Sequence, residues 1–388
     1  MKTYDLAVVG ASLAGALAAV LAAEAGLSVL LLEKGQGPKD RRNLTCGWLG
    51  KSLYTMSRID AEEKLASDEL YGKAIDLCRQ ANGGRLEWHS TWKDFPSDLP
   101  FHVVEKSHYR AGPGCGHELA RQLHSRATET GQADLLFNAP VEYLERTEGG
   151  FVLRSARTKF EAKACLLSVG SFAVEWTKTV CDRLGLTVPE LKARLGLRVE
   201  VPGRLLRTFL QLAGDLNLSR SDAQLDDIRI GSLVGERDDA NLLSAFAYAM
   251  PGKPTERTSF MASASVQEGL DAMRVMRIVN TLSNDKIKRE KATDFIHGHS
   301  VLEHIDQFVP VRQALLDLDK MLPSFLGCAA VYVPEIRISG VLPVDENMRT
   351  TLPGLYGAGE CTTRVASPLG AMVSAMIAIR SLMEEKNG

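Results

Sequence analysis

The sequence predicts an α/β protein. A discontinuous Rossmann-like domain, residues 1–190 and 326–388, is interrupted by an inserted α+β domain at 191–325. Three observations carry this. A strand, a glycine-bearing turn, a helix and a second strand fill residues 5–33. The middle of the chain reads as several strands followed by helices. A second glycine-rich turn, Gly357-Ala358-Gly359-Glu360, appears near the other end of the chain. Alternating β and α at both ends of a strand-rich middle is the pattern of one domain split by another.

The first element is Asp5-Leu6-Ala7-Val8-Val9-Gly10, a short apolar run that reads as a buried strand. Gly10-Ala11-Ser12-Leu13-Ala14-Gly15 follows at once, then an Ala-rich helix to about Ala25, then the strand Leu27–Leu32 ending in Glu33. This is the βαβ unit of a dinucleotide site. Gly10 allows the tight turn, and Gly15 lets the helix lie close to the strand. Ser12 stands where the pattern has its middle glycine; its side chain is small and its hydroxyl can donate to a phosphate oxygen. Leu13 and Ala14 open the helix, whose free N–H groups and positive dipole end favour a pyrophosphate. Glu33 lies 23 residues after Gly10, where its carboxylate can accept from ribose hydroxyls, and Lys34 follows it.

Residues 35–60 read as a loop, 61–82 as helical and 83–110 as irregular, with His89, His102 and His108. Gly112–Gly116 is a turn before a helix at 117–130. Leu135–Glu145 and Gly150–Arg154 alternate like strands, and Ala164–Val169 is a buried strand ending in Gly170. In the insertion, Gly196–Val201, Phe209–Leu212, Ile228–Val234 and Leu242–Met250 read as strands, and 266–284 and 308–322 as helices. Val331–Ile338 returns as a strand of the split domain, and the last helix is expected from Gly370 to Glu385.

Bulk properties narrow the function. The chain of 388 residues is 45% hydrophobic and 24% charged, with a net charge of −2, so no nucleic acid and no stable membrane association are expected. No uninterrupted apolar run reaches membrane-spanning length, and the apolar run at the start contains Gly10, Gly15 and Glu24, unlike a secretory signal. The seven cysteines are scattered without a C-x-x-C pair, so neither a metal site nor a redox dithiol is expected. The expected setting is a reducing cytoplasm.

The run Pro334-Glu335-Ile336-Arg337-Ile338-Ser339-Gly340-Val341-Leu342-Pro343-Val344-Asp345-Glu346-Asn347-Met348-Arg349-Thr350-Thr351 through Glu360 resembles the C-terminal part of bacterial FAD-dependent dehydrogenases of the glutathione-reductase structural class. Leu195–Pro202, Glu33-Lys34-Gly35 and the loop Thr45–Leu53 add to the resemblance. It covers most of the chain and is specific for FAD and fold, not for substrate. It implies one non-covalent FAD. Gly359 and Glu360 would then meet the ribityl or ribose region. The helix opening at Gly370, Ala371 and Met372 would point its N-terminus at the flavin pyrimidine ring, where its dipole favours negative charge. Ser168-Val169-Gly170 would meet the adenosine half, and Val141 would supply the adenine contact. The loop holding Cys46, Gly47 and Lys51 would pass beside the flavin.

Two departures stand out. Ser12 replaces a glycine, and the loop Cys361–Gly370 lacks the family's glycine-rich run. The candidate catalytic groups are Arg364, Lys51 and Arg337, whose cationic heads suit a substrate carboxylate, and His108 as proton donor or acceptor. Cys46 and Cys361 are read as small buried thiols. The expected reaction is hydride transfer between flavin N5 and a small acidic organic substrate bound between the flavin and the inserted domain. With one complete nucleotide fingerprint, NAD(P)H would visit only transiently as reductant. Other expected partners are a redox protein or a second copy of the chain. The alternatives are a flavin-dependent monooxygenase or halogenase, on the faint echo of a Pro-x-x-Gly loop in Ser367-Pro368-Leu369-Gly370, and a non-enzymatic flavin carrier.

Overall fold

The computed structural model describes residues 2–36, 58–60, 65–89, 100–104, 108–112, 114–156, 158–170, 173–190, 192–206, 216–230, 232–237, 243–248, 256–266, 278, 281, 289–300, 302, 305–338 and 340–387. In chain order the elements are β1 (Thr3–Val9), α1 (Leu13–Glu24), β2 (Val29–Leu32), β3 (Arg58–Asp60), α2 (Asp68–Ala81), β4 (Glu87–His89), β5 (His102–Val103), β6 (His108–Arg110), α3 (Cys115–Glu129), β7 (Ala133–Leu136), β8 (Tyr143–Thr147), β9 (Gly150–Ser155), β10 (Thr158–Leu167) and α4 (Val174–Leu184). They continue as β11 (Ala193–Pro202), β12 (Leu216–Ser219), β13 (Gln224–Ile230), β14 (Ser232–Arg237), β15 (Leu243–Tyr248), β16 (Arg257–Ser265), β17 (Arg289–Lys291), α5 (Ala292–Ile296), α6 (Val309–Met321), α7 (Phe325–Cys328), β18 (Ala330–Ile338), β19 (Leu355–Gly357) and α8 (Pro368–Asn387). None of the helices among these residues is long and apolar enough to cross a membrane.

The chain divides into two compact units. The first comprises 1–88, 108–190 and 339–388. Its main sheet runs β7-β2-β1-β10-β9-β8, with β19 also on β10. β7, β2, β1, β10 and β19 are parallel; β9 and β8 turn back antiparallel. β10 is long enough to hold two partners on one edge: Thr158–Ala162 pairs with β9, and Cys165–Leu167 with β19. Both faces are covered, as a parallel sheet requires. Leu6, Val8, Val29, Leu31, Ala164 and Leu166 face the cluster built by α1, α2, α3 and α8. Ala7, Val9, Leu30, Leu32, Cys165 and Leu167 face the cluster that includes Val180 and Cys181 of α4. α1 is buried at ten of its twelve positions, and Ala371–Ile379 of α8 are all buried. Helices apolar all round belong in a core, and small alanines let α1 pack closely against α8. β3, β6 and β4 make a separate three-stranded sheet, from the end of the expected loop 35–60 and from the stretch 83–110 expected to be irregular.

The second unit comprises 89–107 and 191–338. Its antiparallel sheet runs β17-β18-β11-β16-β13-β12-β5, beside the β14–β15 hairpin. Ala193, Leu195, Leu197, Val199 and Val201 of β11 face a core with Phe295, Phe308, Leu315 and Phe325 from the helical segments. Arg194, Arg198 and Glu200 alternate with them. Arg194 donates to Ser263 Oγ (2.5 Å) and Gln224, and pairs with Asp226 (3.0 Å). Glu200 accepts from the Tyr332 hydroxyl (3.4 Å) and pairs with Arg257 (3.4 Å). Buried charges persist when paired in this way. The unit's limits differ from the expected 191–325. β5 hydrogen-bonds to β12 and brings 89–107 with it, and β18 pairs with β11 from Ala193↔Ile338 to Glu200↔Ala330, so the chain leaves this unit at 338. The expected strand Phe209–Leu212 and most of the expected helix 266–284 lie outside the described residues.

His124 of α3 is 5% exposed and edge-on to Phe137, and neither ring nitrogen has a hydrogen-bond partner. Burial pulls its pKa down to about 4. The native state therefore holds a neutral ring, whereas the unfolded chain takes up a proton below about pH 6.5. The resulting stabilisation is complete above that pH and is lost as pH falls toward 4, about 3 kcal/mol in all. We expect His124→Leu to flatten the fall in urea-unfolding free energy between pH 6.5 and 4; parallel curves for variant and parent would contradict this.

Candidate cofactor site

The site is built where β1, β2, β10 and β19 end. Gly10 closes β1 at φ +95°, donating its N–H to the Leu32 carbonyl (2.8 Å). A Cβ there would stand 2.9 Å from the Ser168 carbonyl oxygen, so the close approach excludes any side chain. At Gly15 a Cβ would run into the Gly10 carbonyl and Ser168 Oγ. Ser168 is fully buried; its hydroxyl donates to Gly10 O (2.6 Å) and its N–H to Val9 O (2.9 Å), which locks β10 to the turn. Ser12 caps α1, its Oγ accepting from Gly15 N–H (3.2 Å). That bond uses a lone pair and leaves the hydroxyl hydrogen to donate. Ala16 N–H is taken by Ser12 O (2.8 Å). The helix cannot satisfy the N–H groups of Leu13 and Ala14, which stay as donors for a phosphate.

Glu33 is 5% exposed. Oε2 accepts from Ala11 N–H and Oε1 from Gly35 N–H, both at 2.7 Å. The expected ribose acceptor is thus also a brace between the fingerprint turn and the end of β2. Lys34 is exposed. The chain after β7 is fastened beside Glu33: Ala139 N–H donates to Glu33 O and Asn138 N–H to Gly35 O, both at 2.9 Å. Val141 is buried, and its carbonyl accepts from Trp176 Nε1 of α4 (2.7 Å). No local motif in the sequence announces Trp176. Gly170 is exposed, and its carbonyl accepts from Ala173 N–H (3.0 Å).

The late turn meets the early one. Ala358 N–H donates to Leu167 O, and Gly359 follows at φ +78°. A Cβ on Gly359 would lie 3.2 Å from Ala14 Cβ, 3.8 Å from Ser12 Oγ and 3.9 Å from Ala371 Cβ. Gly359 N–H is held by Ser374 Oγ (2.9 Å). Glu360 is exposed beside it. Cys361 is a buried thiol, donating at 3.4 Å to the carbonyls of Leu167 and Ala358, and burial pushes its pKa up to about 12. It is a neutral packing group, as expected.

The last helix starts at Pro368, not at Gly370. Ser367 Oγ accepts from Gly370 N–H (3.0 Å) and Ser367 O from Ala371 N–H (2.8 Å). Those two donors, expected to face the cofactor, are spent on the cap, and the Met372 side chain is fully buried. Pro368 has no N–H, so Leu369 holds the donor left in this first turn. Among the catalytic candidates, Arg364 is exposed on the loop between Cys361 and Ser367. Arg110 is exposed at the end of β6. His108 and Arg337 are described only as strand positions, in β6 and β18; Arg337 belongs to the second unit, in register with Arg194. Lys51, Cys46 and Gly47 lie outside the described residues. No cluster of metal-ligating side chains occurs among the described residues.

No family model matches the chain, and no curated protein does. Solved structures do. Glycine oxidase from Geobacillus kaustophilus is 13% identical, covering 99% of this chain and 95% of that one, with a TM-score of 0.49. A geranylgeranyl bacteriochlorophyll reductase-like protein from Thermoplasma acidophilum is 15% identical, covering 100% and 80%, with a TM-score of 0.49. The glycerol-3-phosphate dehydrogenase from Bacillus halodurans complexed with FAD is 13% identical, covering 100% and 65%, with a TM-score of 0.47. At these identities and scores the chemistry of this chain rests on its own residues.

Replacing Glu33 by Gln should turn one accepting oxygen into a donor that faces a backbone N–H. We expect a loss of about 1–3 kcal/mol in the unfolding free energy of the ligand-free chain. A variant as stable as its parent would show that the brace carries no load.

Proposed function

We propose that the chain is an FAD-dependent oxidoreductase acting on a small organic acid. The observation that carries this reading is the nearness of Gly359 to Ser12 and Ala14, close enough that a Cβ added to it would stand 3.2 Å from Ala14 Cβ. A mononucleotide needs only the first turn. A second turn that brings a glycine beside the first supports a longer ligand that passes from Glu33, over the N–H groups of Leu13 and Ala14, toward Gly359 and the start of α8. The glycines at 10 and 15 let β1, β10 and α1 close on one another without a Cβ between them, which brings the N-terminus of α1 to the end of β1, where a pyrophosphate would lie.

Bound FAD would supply hydride acceptance and donation. The chain's own part is binding and orientation. Leu13 and Ala14 donate to the pyrophosphate, aided by the α1 dipole, and the Ser12 hydroxyl adds a donor. Glu33 accepts from ribose hydroxyls. Leu369 N–H and the α8 dipole favour negative charge at the far end. Arg364, an exposed guanidinium four residues after Glu360, is the first choice for holding a substrate carboxylate, with Lys51, His108 and Arg337 as further candidates. NADH or NADPH as a transient reductant belongs to the same proposal.

The test is a spectrum followed by titration. The purified chain should carry one FAD per chain, released on denaturation. Under anaerobic conditions one of a panel of small carboxylic acids, or NADH or NADPH, should bleach it. Arg364→Ala should demand about 30-fold more of an active acid for the same rate, with FAD absorbance unchanged. FMN, or no flavin, would overturn the cofactor reading; an unchanged acid response in the variant would remove Arg364 from the site.

A further inference from the structure

Sheet order sets the direction of the ligand. Phosphates belong at the end of β1, with the Gly10 turn and the start of α1. The ribose belongs at the end of β2, with Glu33. β7 lies next to β2 on the side away from β1. A nucleotide runs phosphate, ribose, base, so its base continues past Glu33 toward the residues after β7, numbers 137–141. That segment is tightly held. Asn138 sits at φ +52°, a conformation asparagine tolerates. Its N–H and that of Ala139 are bound to Gly35 O and Glu33 O, both at 2.9 Å. Those bonds fasten the side next to β2. On the far side Trp176 Nε1–H donates to Val141 O at 2.7 Å, and Glu142 N–H to Arg154 O at 2.9 Å carries the chain on into β8. The indole is partly buried and packs on the cluster that includes Val141. An unbroken path of hydrogen bonds thus runs from Ala11 through Glu33 and Gly35 to Asn138 and Ala139, and the chain from there ends at Val141 and Trp176.

We infer that Trp176 is a positioning residue for the base of the dinucleotide: by fixing Val141 it preorganises the base-receiving segment and makes the site prefer FAD to FMN. The inference rests on the FAD reading above. Preorganisation raises affinity by removing the cost of ordering the segment on binding. It acts only on the adenylate half, which FMN lacks.

The test compares full-length parent and Trp176→Phe in titrations with FAD, FMN and ADP. The variant keeps an aromatic body and loses the N–H. Expected is a loss of about tenfold for FAD and ADP, with FMN binding unchanged. Equal losses for FAD and FMN would reveal a merely structural role and overturn the inference, as would an unchanged FAD affinity. A parent that binds no FAD removes the cofactor reading and this inference together, whereas FAD bound equally by parent and variant removes the inference alone. Should Trp176→Phe fail to fold, a chain with Phe in place of Trp48, Trp88 and Trp92 retains Trp176 as its single tryptophan. ADP should change its emission; emission unaltered at saturating ADP would equally overturn the inference.

Discussion

Backbone meets backbone at the ends of β1, β10 and β19, and the first unit is organised around that approach. The Gly10 carbonyl accepts the Ser168 hydroxyl, Gly15 lies over both, and Gly359 closes against Ala14. At Gly10 and Gly15 there is less room than a methyl group needs, and at Gly359 a Cβ would be pressed to 3.2 Å from Ala14 Cβ. The consequences spread outward. β10 is held beside β1, so its other edge is free to take β9 and β19. α1 and α8 lie close enough for alanine faces to interdigitate. Three serines, Ser12, Ser168 and Ser374, supply the bonds that side-chain-free backbone cannot make for itself. A site assembled from backbone donors on rigid elements is ordered before any ligand arrives, which is what makes such donors effective toward a phosphate.

The second unit solves a different problem with the same economy. β11 sends its apolar residues to one face and Arg194, Arg198 and Glu200 to the other. Arg194 is met there by Asp226 and Ser263, and Glu200 by Arg257 and Tyr332. Gly196 lies against Ser263 without a side chain of its own, so the central pair β11–β16 can run close over its whole length.

The parts legible in the sequence were those written in local pattern. β1, α1 and β2 follow from an apolar run, a glycine turn and a second apolar run, and α6 from helical periodicity. The start of α8 was legible too, but at a different residue: Ser367-Pro368 is a cap followed by a first-turn proline, a stronger signal than Gly370. β16 was hidden because Arg257–Ser265 is rich in serine and alanine, residues with little strand preference. Its place is decided by β11 and β13 on either side. Within the site, Gly10, Ser12 and Gly15 stand at the turn between β1 and α1, and Glu33 at the end of β2. The second role of Glu33, as a brace, depends on where Gly35 folds. Ser168 and Trp176 act through carbonyls far away in the chain, Val9 and Gly10 for one and Val141 for the other, and no spacing rule reaches across such distances.

The central claim is that the close approach of the Gly359 turn to Ser12 and Ala14 creates a site long enough for a dinucleotide. The most direct measurement is FAD affinity in Gly359→Ala, with circular dichroism on the same sample. A methyl group at φ +78°, pressed on Ala14, should push the late turn away from the first. The account predicts native-like secondary structure with FAD affinity lowered by about tenfold or more. Full FAD affinity in a folded Gly359→Ala variant would contradict it.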